Sequence, residues 1–322
     1  MGGVHARARY VPGHFSDGLT MATSLFGAIE AGGTKFQCAV ARGSDEIVAS
    51  ERIATTTPDE TLAEVVIFFE SCQARHGPVT AFGIGSFGPI DLDARSPTYG
   101  RILATPKVGW SGYDLQARLR ECFAQPIYLD TDVNAAALAE WHHGAGIGLN
   151  SLAYVTVGSG IGGGAVLGGA TLRGLLHPEM GHIRVQRDQR DLAFPGICPF
   201  HRDCLEGLAS GPAILARWGA PINSLDTGSS THSIIGGYLG QLAATIALTL
   251  SPERIVFGGG VLTGGVLLPY IRSGAKDQLN GYLPRAVLRG ELEDFITAPG
   301  LGGRSGISGA ILLAMMSASG GR

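Results

Sequence analysis

Hydrophobic and polar positions along the first part of the chain predict a β-hairpin followed by alternating helices and strands. Residues 25–29 and 36–41 are predicted as strands separated by a glycine-rich turn, and residues 47–53 as a third strand of alternating character. Residues 59–73 carry apolar side chains at helical spacing, and residues 79–85 form a further apolar strand. The order therefore begins with strands that return on themselves, which differs from a strand that leads directly into a helix.

A similar order is repeated in the second part of the chain. Residues 152–157 are predicted as a strand, 158–164 as a glycine-rich turn and 165–167 as a returning strand. The other predicted elements of the chain are helices at 113–123, 135–141, 205–218, 232–250, 267–279 and 305–317, and strands at 126–129, 254–257 and 295–298. The helical segment 205–218 is expected to be interrupted at Gly211 and Pro212. Two units that each open with a glycine-turned hairpin predict a duplicated α/β fold with a cleft between its halves.

Composition narrows the class of protein. The chain has 322 residues and 45% hydrophobic residues, which is enough for two domains with ample cores. The net charge is −3 without a basic run, which argues against nucleic acid as a partner. No apolar run reaches the ~18 residues that a membrane helix needs. The odd total of five cysteines argues against a disulfide framework, so we expect a cytoplasmic protein.

The domain boundaries follow from this order of elements. Residues 1–23 lack the apolar core of a secretory signal, and we expect a disordered extension or tail there. Residues 24–131 are predicted to form a smaller N-terminal domain, joined by a returning C-terminal helix at 305–322. Residues 132–304 are predicted to form a larger domain that carries a loop at 182–204.

That loop contains a cluster of residues suited to binding a metal. Cys198, His201 and Cys204 are spaced three apart, and His182 lies sixteen residues before the first cysteine. Two thiolates and two imidazoles are a ligand set that tetrahedral Zn²⁺ prefers, and a site closed by four protein ligands is structural. The alternative interpretation is a polar loop with incidental cysteines and histidines.

Three glycine-rich turns could bind phosphate, because bare backbone N–H groups in a tight turn form an anion-binding nest. The candidate residues are Gly32, Gly33, Thr34 and Lys35 in the first turn, Gly158, Ser159 and Gly160 in the second, and Gly258, Gly259 and Gly260 in the third. Each turn is also compatible with an ordinary hairpin or loop. The dinucleotide fingerprint matches at residues 83–88 and 158–163, but no helix follows either match, and a P-loop motif is absent.

Asp132 is the candidate catalytic base. It lies between an apolar strand and a predicted helix, with Asp130 and Asn134 beside it. An aspartate at this position is often only a helix N-cap. In phosphoryl transfer to an alcohol, however, an aspartate can accept the hydroxyl proton. The sequence alone leaves both roles open.

Together these motifs resemble those of the ROK family of sugar kinases and sugar-responsive repressors, over residues 25–316. Residues 30–35 are similar to the family's first phosphate loop, with Glu30 where aspartate is more frequent. Residues 132–140 resemble its catalytic motif, and residues 158–164 its second phosphate loop, with Ser159 where threonine is more usual. Residues 179–182 and 198–206 resemble its sugar-and-zinc motif. A histidine between the two cysteines, as at His201, resembles the pattern of the family's fructokinase branch.

The resemblance implies an α/β, actin-like (ribonuclease-H-like) duplicated ATPase fold, with two domains flanking a cleft and an inserted zinc loop. It implies phosphorylation of D-fructose to fructose 6-phosphate, with ATP, Mg²⁺ and a structural Zn²⁺ as cofactors. Asp132 would be the general base, and a homodimer is expected. The implied sugar contacts are Gly85, Ser86, Phe87, Gly88, Asn134, Glu179, His182 and Glu206.

Several alternatives stay open at the level of sequence. Within the family, glucose, mannose or N-acetylmannosamine could replace fructose, and the chain could bind sugar without catalysis. A repressor would need a helix-turn-helix before residue 25, where Gly2, Gly3, Pro12 and Gly13 interrupt any helix. A ribokinase-type kinase would need a Gly-Ala-Gly-Asp turn, but Ile147 stands where its aspartate would be.

Overall fold

The structure is a computed structural model that describes residues 23–288 and 290–318. Apart from Thr23, the predicted tail at residues 1–23 lies outside the described residues, and so do the last four residues of the predicted C-terminal segment. The first sheet consists of β1 (Leu25–Ala31), β2 (Lys35–Arg42), β3 (Glu46–Ala54), β4 (Val79–Ser86) and β5 (Ile127–Thr131). Its strand order is β3-β2-β1-β4-β5, with β1 antiparallel to β2 and parallel to β4.

The second sheet repeats this topology. It consists of β6 (Ser151–Val157), β7 (Ile161–Leu167), β8 (Ala170–Thr171), β9 (Ile255–Gly258) and β10 (Ile296–Thr297), in the order β10-β9-β6-β7-β8. Strand β6 pairs antiparallel with β7 and parallel with β9, as β1 does with β2 and β4. Both sheets therefore follow one plan, which confirms the predicted duplicated α/β fold.

Eight helices of the described chain cover these sheets. They are α1 (Pro58–His76), α2 (Leu115–Cys122), α3 (Asp132–His143), α4 (Leu205–Ala209), α5 (Gly211–Trp218), α6 (Ser230–Thr249), α7 (Leu268–Leu279) and α8 (Ser305–Ala318). The predicted interruption of the helical segment 205–218 is present but falls one residue earlier, at Ser210, which is extended and whose hydroxyl accepts a hydrogen bond from Ala213 N. Within the described residues, no helix combines the length and apolarity needed to span a bilayer.

Helices α3 and α8 lie between the two sheets: α3 packs against strands of both sheets, and α8 packs against α3 and the first sheet. Helix α8 can approach so closely because glycines stand at the contacts. A Cβ atom added at Gly83 of β4 would overlap the Ala310 carbonyl, and one at Gly309 would overlap the Ala135 backbone. The remaining helices cover the outer faces, with α1 and α2 on the first sheet and α4 to α7 on the second. The central helix pair therefore connects the two halves of the molecule.

A buried carboxylate fixes the end of this central pair. Glu140 of α3 is fully buried and accepts hydrogen bonds from Ala145 N at 2.8 Å, Gly300 N at 2.8 Å and Leu301 N at 3.1 Å. It also accepts one from Ser305 Oγ at 2.6 Å, at the start of α8. Both oxygens of Glu140 are used, so one side chain joins α3 to the segment that begins α8.

The glycines after β6 are not all in a turn. The predicted turn at residues 158–164 ends earlier, because β7 begins at Ile161 and includes Gly162, Gly163 and Gly164. A Cβ atom at Gly164 would lie 2.6 Å from the Val133 carbonyl, and one at Gly163 would overlap Met180. These glycines are strand residues that let the start of α3 and the loop near Met180 approach the sheet.

Candidate active site

A cleft of about 730 Å³ opens where the turn after β1, the turn after β6 and the start of α3 meet. These are the ends of strands on equivalent edges of the two sheets, and ligand sites in α/β folds commonly form at such edges. The predicted site residues that line this cleft are Phe87, Gly88, Asp132, Glu179, His182 and Glu206, together with Gly32, Gly33, Thr34, Lys35, Gly158, Ser159, Gly160, Gly259, Gly260 and the metal-loop residue His201.

The carboxylate of Asp132 is not the cap of helix α3. Thr131 is the N-cap residue, and its hydroxyl accepts a hydrogen bond from Asn134 N at 3.1 Å. Asp132 is the first helical residue, and its Oδ1 accepts a hydrogen bond from Val133 N at 2.9 Å. Because the Thr131 hydroxyl already caps the backbone N–H groups at the start of the helix, the carboxylate of Asp132 is available to the cleft that it lines.

The surroundings of Asp132 disfavour its charged form. The pKa of Asp132 is raised to about 7, chiefly by burial, with the nearby carboxylates of Glu30 and Glu179 acting in the same direction and the Val133 N–H in the opposite one. A carboxyl group with a pKa near neutrality can both hold and release a proton at physiological pH. This is the electrostatic property that a general base requires.

Two backbone turns face each other across the cleft. In the first, Gly32 N donates to Lys35 O at 3.0 Å, and Thr55 Oγ1 donates to Gly32 O at 2.8 Å. In the second, Gly158 N donates to Gly160 O at 2.8 Å. Gly259 lines the cleft nearby with a φ of 92°, a conformation that favours glycine. These turns present backbone edges that can accommodate phosphate.

Glu206 joins the metal loop to the second turn. Its Oε2 accepts a hydrogen bond from Ile161 N at 2.9 Å, and a Cβ atom at Gly160 would lie 2.6 Å from the same oxygen. The residue stands in α4, two positions after Cys204. The predicted sugar contact is therefore anchored to the phosphate-side backbone by one of its oxygens.

Glu179 is held by a histidine that the sequence analysis did not identify. His177 is buried, and its Nε2 accepts a hydrogen bond from Ile90 N at 3.1 Å, so its proton resides on Nδ1. That Nδ1 lies 3.5 Å from Glu179 Oε1. Burial raises the pKa of Glu179 to about 7, with Glu206 contributing in the same direction. The available sequence signal was a histidine in the His177-Pro178-Glu179 triplet.

Lys107 is a second residue that the sequence analysis missed. It lies in the loop between β4 and α2, and its Nζ donates a hydrogen bond to Gly33 O at 3.2 Å. The ammonium group stands 5.1 Å from the centre of the Phe87 ring. Burial lowers the pKa of Lys107, whereas Asp132 and Glu206 act in the opposite direction. A lysine in a loop gives no periodic signal, so only the fold brings it to the cleft.

Some predicted residues do not reach the cleft. Asn134 is fully buried, and its Nδ2 donates to Asp130 Oδ1 at 2.9 Å and to Leu172 O at 3.2 Å, while its Oδ1 accepts from Ala165 N. Its amide is therefore committed to the fold, and the predicted contact with sugar is not supported by this position. Gly85, Ser86 and Gly258 also lie outside the lining; Ser86 is fully buried.

The four predicted metal ligands converge at one edge of the cleft. His182, Cys198, His201 and Cys204 each offer a ligand atom, and these atoms lie within 4.8 Å of one another. His182 Nδ1 lies 3.5 Å from Cys204 Sγ and 3.8 Å from Cys198 Sγ, and His201 Nδ1 lies 3.7 Å from Cys198 Sγ. The cluster could therefore hold one metal ion.

These spacings can be compared with the geometry of zinc. A tetrahedral Zn²⁺ with bonds of ~2.3 Å to sulfur and ~2.05 Å to nitrogen separates those two donor atoms by about 3.6 Å. The observed sulfur–nitrogen distances of 3.5, 3.7 and 3.8 Å agree with this value. The donor set and these three sulfur–nitrogen distances are compatible with a tetrahedral Zn²⁺.

Known proteins share this chain's sequence and fold. The sequence profile of the ROK family matches residues 26–317. A fructokinase of Zymomonas mobilis subsp. mobilis is 43% identical over 294 residues, which cover 90% of this chain and 96% of that protein. A fructokinase of Lactococcus lactis subsp. cremoris is 43% identical over 258 residues, covering 80% of this chain and 86% of that protein. These matches confirm the resemblance inferred from the motifs.

A solved structure shows the same architecture. A ROK family glucokinase from Streptomyces griseus, in complex with glucose and AMPPNP, superposes with a TM-score of 0.72 at 26% identity. The superposition covers 90% of this chain and 99% of that one. Together with the repeated strand order, it confirms the predicted actin-like α/β fold.

Proposed function

This chain belongs to the ROK family, and we propose that it is an enzyme that transfers the γ-phosphoryl group of MgATP to a hexose, with D-fructose as its preferred substrate and fructose 6-phosphate as product. The names of relatives that are 39–43% identical support fructose over glucose, mannose or N-acetylmannosamine. The observation that carries the proposal is the position of Asp132. Its carboxylate does not serve as the helix N-cap, and it lines a cleft that also contains two backbone turns.

Asp132 is the general base of the proposed reaction. It accepts the proton of the primary hydroxyl of the sugar as that oxygen bonds to the γ-phosphorus atom and the bond from phosphorus to the leaving ADP oxygen breaks. The pKa of about 7 supports this role, because a base is most effective when its pKa lies near the working pH. Such a group typically contributes ~10²–10⁴-fold to the rate.

The remaining cleft residues bind the two substrates. Glu179 and His182 are the proposed partners of the sugar hydroxyls, and Phe87 with Gly88 supplies a surface for the sugar's carbon face. The phosphates of MgATP bind the turns that contain Gly33 and Gly158. Closure of the predicted domains, 24–131 with 305–322 against 132–304, excludes water and so limits hydrolysis of ATP.

A structural Zn²⁺ held by His182, Cys198, His201 and Cys204 supports both substrate sites. When bound, it cross-links the loop and takes no part in phosphoryl transfer. His182 faces the cluster with Nδ1, and its Nε2 lies 3.9 Å from Glu179 Oε2 on the sugar side. Glu206, which follows Cys204 closely, holds the second turn. The predicted homodimer and cytoplasmic localisation stay predictions.

Replacing Asp132 with Asn tests the proposed role of the base. We expect fructose-dependent ADP formation to fall by at least ~10²-fold, while fructose affinity measured by calorimetry changes only a few-fold. Asp59→Asn, on an exposed helix start, is the matched control and keeps full activity. Sustained turnover by folded Asp132→Asn protein excludes Asp132 as the base.

A further inference from the structure

Lys107 is a cation of the cleft with unused capacity to donate hydrogen bonds. Lys107 Nζ can donate three hydrogen bonds, and among the described residues it makes one, to the Gly33 carbonyl. No carboxylate oxygen in the described part of the chain forms an ion pair with it, although Asp132 and Glu206 lie close enough to act on its charge. A half-buried ammonium group with unused donors is suited to an anionic ligand.

Lys107 is close to both groups that the proposed reaction connects. It adjoins the first phosphate turn, where a Cβ atom at Gly33 would overlap the ammonium group. It is also close enough to Asp132 to act on its charge, and Nζ is 5.1 Å from the centre of the Phe87 ring. An ammonium group near both the phosphate turn and the candidate base can reach a phosphoryl group that moves between them.

We propose that Lys107 is a further catalytic residue, which donates hydrogen bonds to the phosphoryl group as it passes from ATP to the sugar. This inference rests on the proposed kinase function. The sugar oxygen gives its proton to Asp132 and bonds to phosphorus, and ADP leaves with the electron pair of the broken phosphorus–oxygen bond. Lys107 stays protonated throughout and stabilises charge on the non-bridging oxygens, which a preformed donor does most effectively in the transition state.

A simpler role must be distinguished. Lys107 could merely fasten the loop that contains it to the turn after β1, through its bond to Gly33. A fastening role predicts a less stable protein or a higher KM for MgATP with unchanged kcat. A catalytic role predicts a lower kcat with little change in the KM for fructose.

The test compares Lys107→Met and Lys107→Arg with the unaltered protein and with Lys276→Met, a surface lysine paired with Glu291. We expect kcat with fructose to fall ~10²–10³-fold in Lys107→Met, the loss typical of one transition-state donor, and to recover partly in Lys107→Arg. Lys276→Met keeps full activity. A kcat of Lys107→Met within about threefold of the parent overturns the proposal.

The pH profile supplies an independent readout. Glu30, Glu179 and Lys107 act on the charge of Asp132, and Lys35, His182 and Glu206 line the same cleft. Removing the Lys107 charge favours the protonated base, so the acid limb of kcat/KM is expected to move to higher pH by ~0.5 unit or more in Lys107→Met. If the acid limb of kcat/KM does not shift and kcat is normal in Lys107→Met, Lys107 only holds its loop to the turn after β1. If the parent protein phosphorylates no hexose, the proposed function fails first, and this inference fails with it.

Discussion

Replacing Asp132 with Asn should stabilise the folded protein at neutral and alkaline pH, even though it removes activity. The pKa of Asp132 is raised from 3.8 to about 7 in the fold, chiefly by burial. Between those two values the folded protein holds a proton that the unfolded chain releases. The free energy of unfolding therefore decreases as pH rises through this window, and above pH 7 the buried charge has its full destabilising effect.

The size of this effect follows from the shift. About three pKa units at ~1.4 kcal/mol each give an upper limit of about 4 kcal/mol, of which roughly 2 kcal/mol develops between pH 5.5 and 8.5. Because Asp132 borders an open cleft, water screens its charge, so we expect about 1–2 kcal/mol of extra stability at pH 8.5. Asparagine has no such titration, so its advantage over aspartate grows with pH.

The assay is urea unfolding of the metal-loaded protein at pH 5.5, 7 and 8.5, with slopes compared to confirm equal exposure of surface. Asp130→Asn is the matched control. Asp130 lies two residues away, but its buried carboxylate accepts hydrogen bonds from Arg173 at 2.6 Å and Thr171 at 2.9 Å. Removing the negative charge of Asp130 should destabilise the folded protein by ~3 kcal/mol. An Asp132→Asn protein that is less stable at pH 8.5, or whose advantage does not grow with pH, refutes the reasoning.

Three further substitutions test other parts of the account. Cys198→Ser should abolish stoichiometric zinc, measured by mass spectrometry, and weaken both fructose and nucleotide binding; unchanged zinc content would count against the ligand set. His177→Asn keeps a hydrogen-bond donor near Glu179 but loses the acceptor for Ile90 N. Steady-state kinetics should show a KM for fructose raised about tenfold with kcat little changed. An unaltered KM would contradict this role of His177. Glu140→Gln places an amide NH₂ group against buried hydrogen-bond donors. It should lower the free energy of unfolding, measured in urea at pH 7, by ~3 kcal/mol. A decrease of less than ~0.5 kcal/mol in the free energy of unfolding would contradict this prediction.

The order of elements could be predicted because it depends on local patterns. Apolar runs of strand length located β1, β2 and β4 within two residues of their observed ends, and glycine marked both hairpin turns. The pattern failed at Gly162–Gly164, because glycine predicts a turn wherever it clusters. These three glycines stand in β7 for another reason, namely the close approach of Val133 and Met180, and such contacts between distant segments leave no periodic signal.

The candidate site was predictable where chemistry depends on residue spacing, and less so where it depends on packing. The cysteines and histidines of residues 182–204 converge as their spacing indicated. Asn134, beside the candidate base, turned out to be committed to buried contacts with Asp130 and Leu172. Lys107 and His177 enter the cleft from loops. His177 stands two residues before Glu179 in the sequence, but loop residues carry no periodic pattern that indicates what they contact.

The most direct test of the central claim is ADP formation by the purified protein with MgATP and, in turn, fructose, glucose, mannose and N-acetylmannosamine, before and after removal of zinc. The account predicts selective turnover of fructose that is lost with the metal and returns when zinc is restored. Turnover of a different hexose would contradict the proposed substrate. No turnover with any of the four sugars, in protein that still carries zinc, would contradict the proposed kinase activity itself.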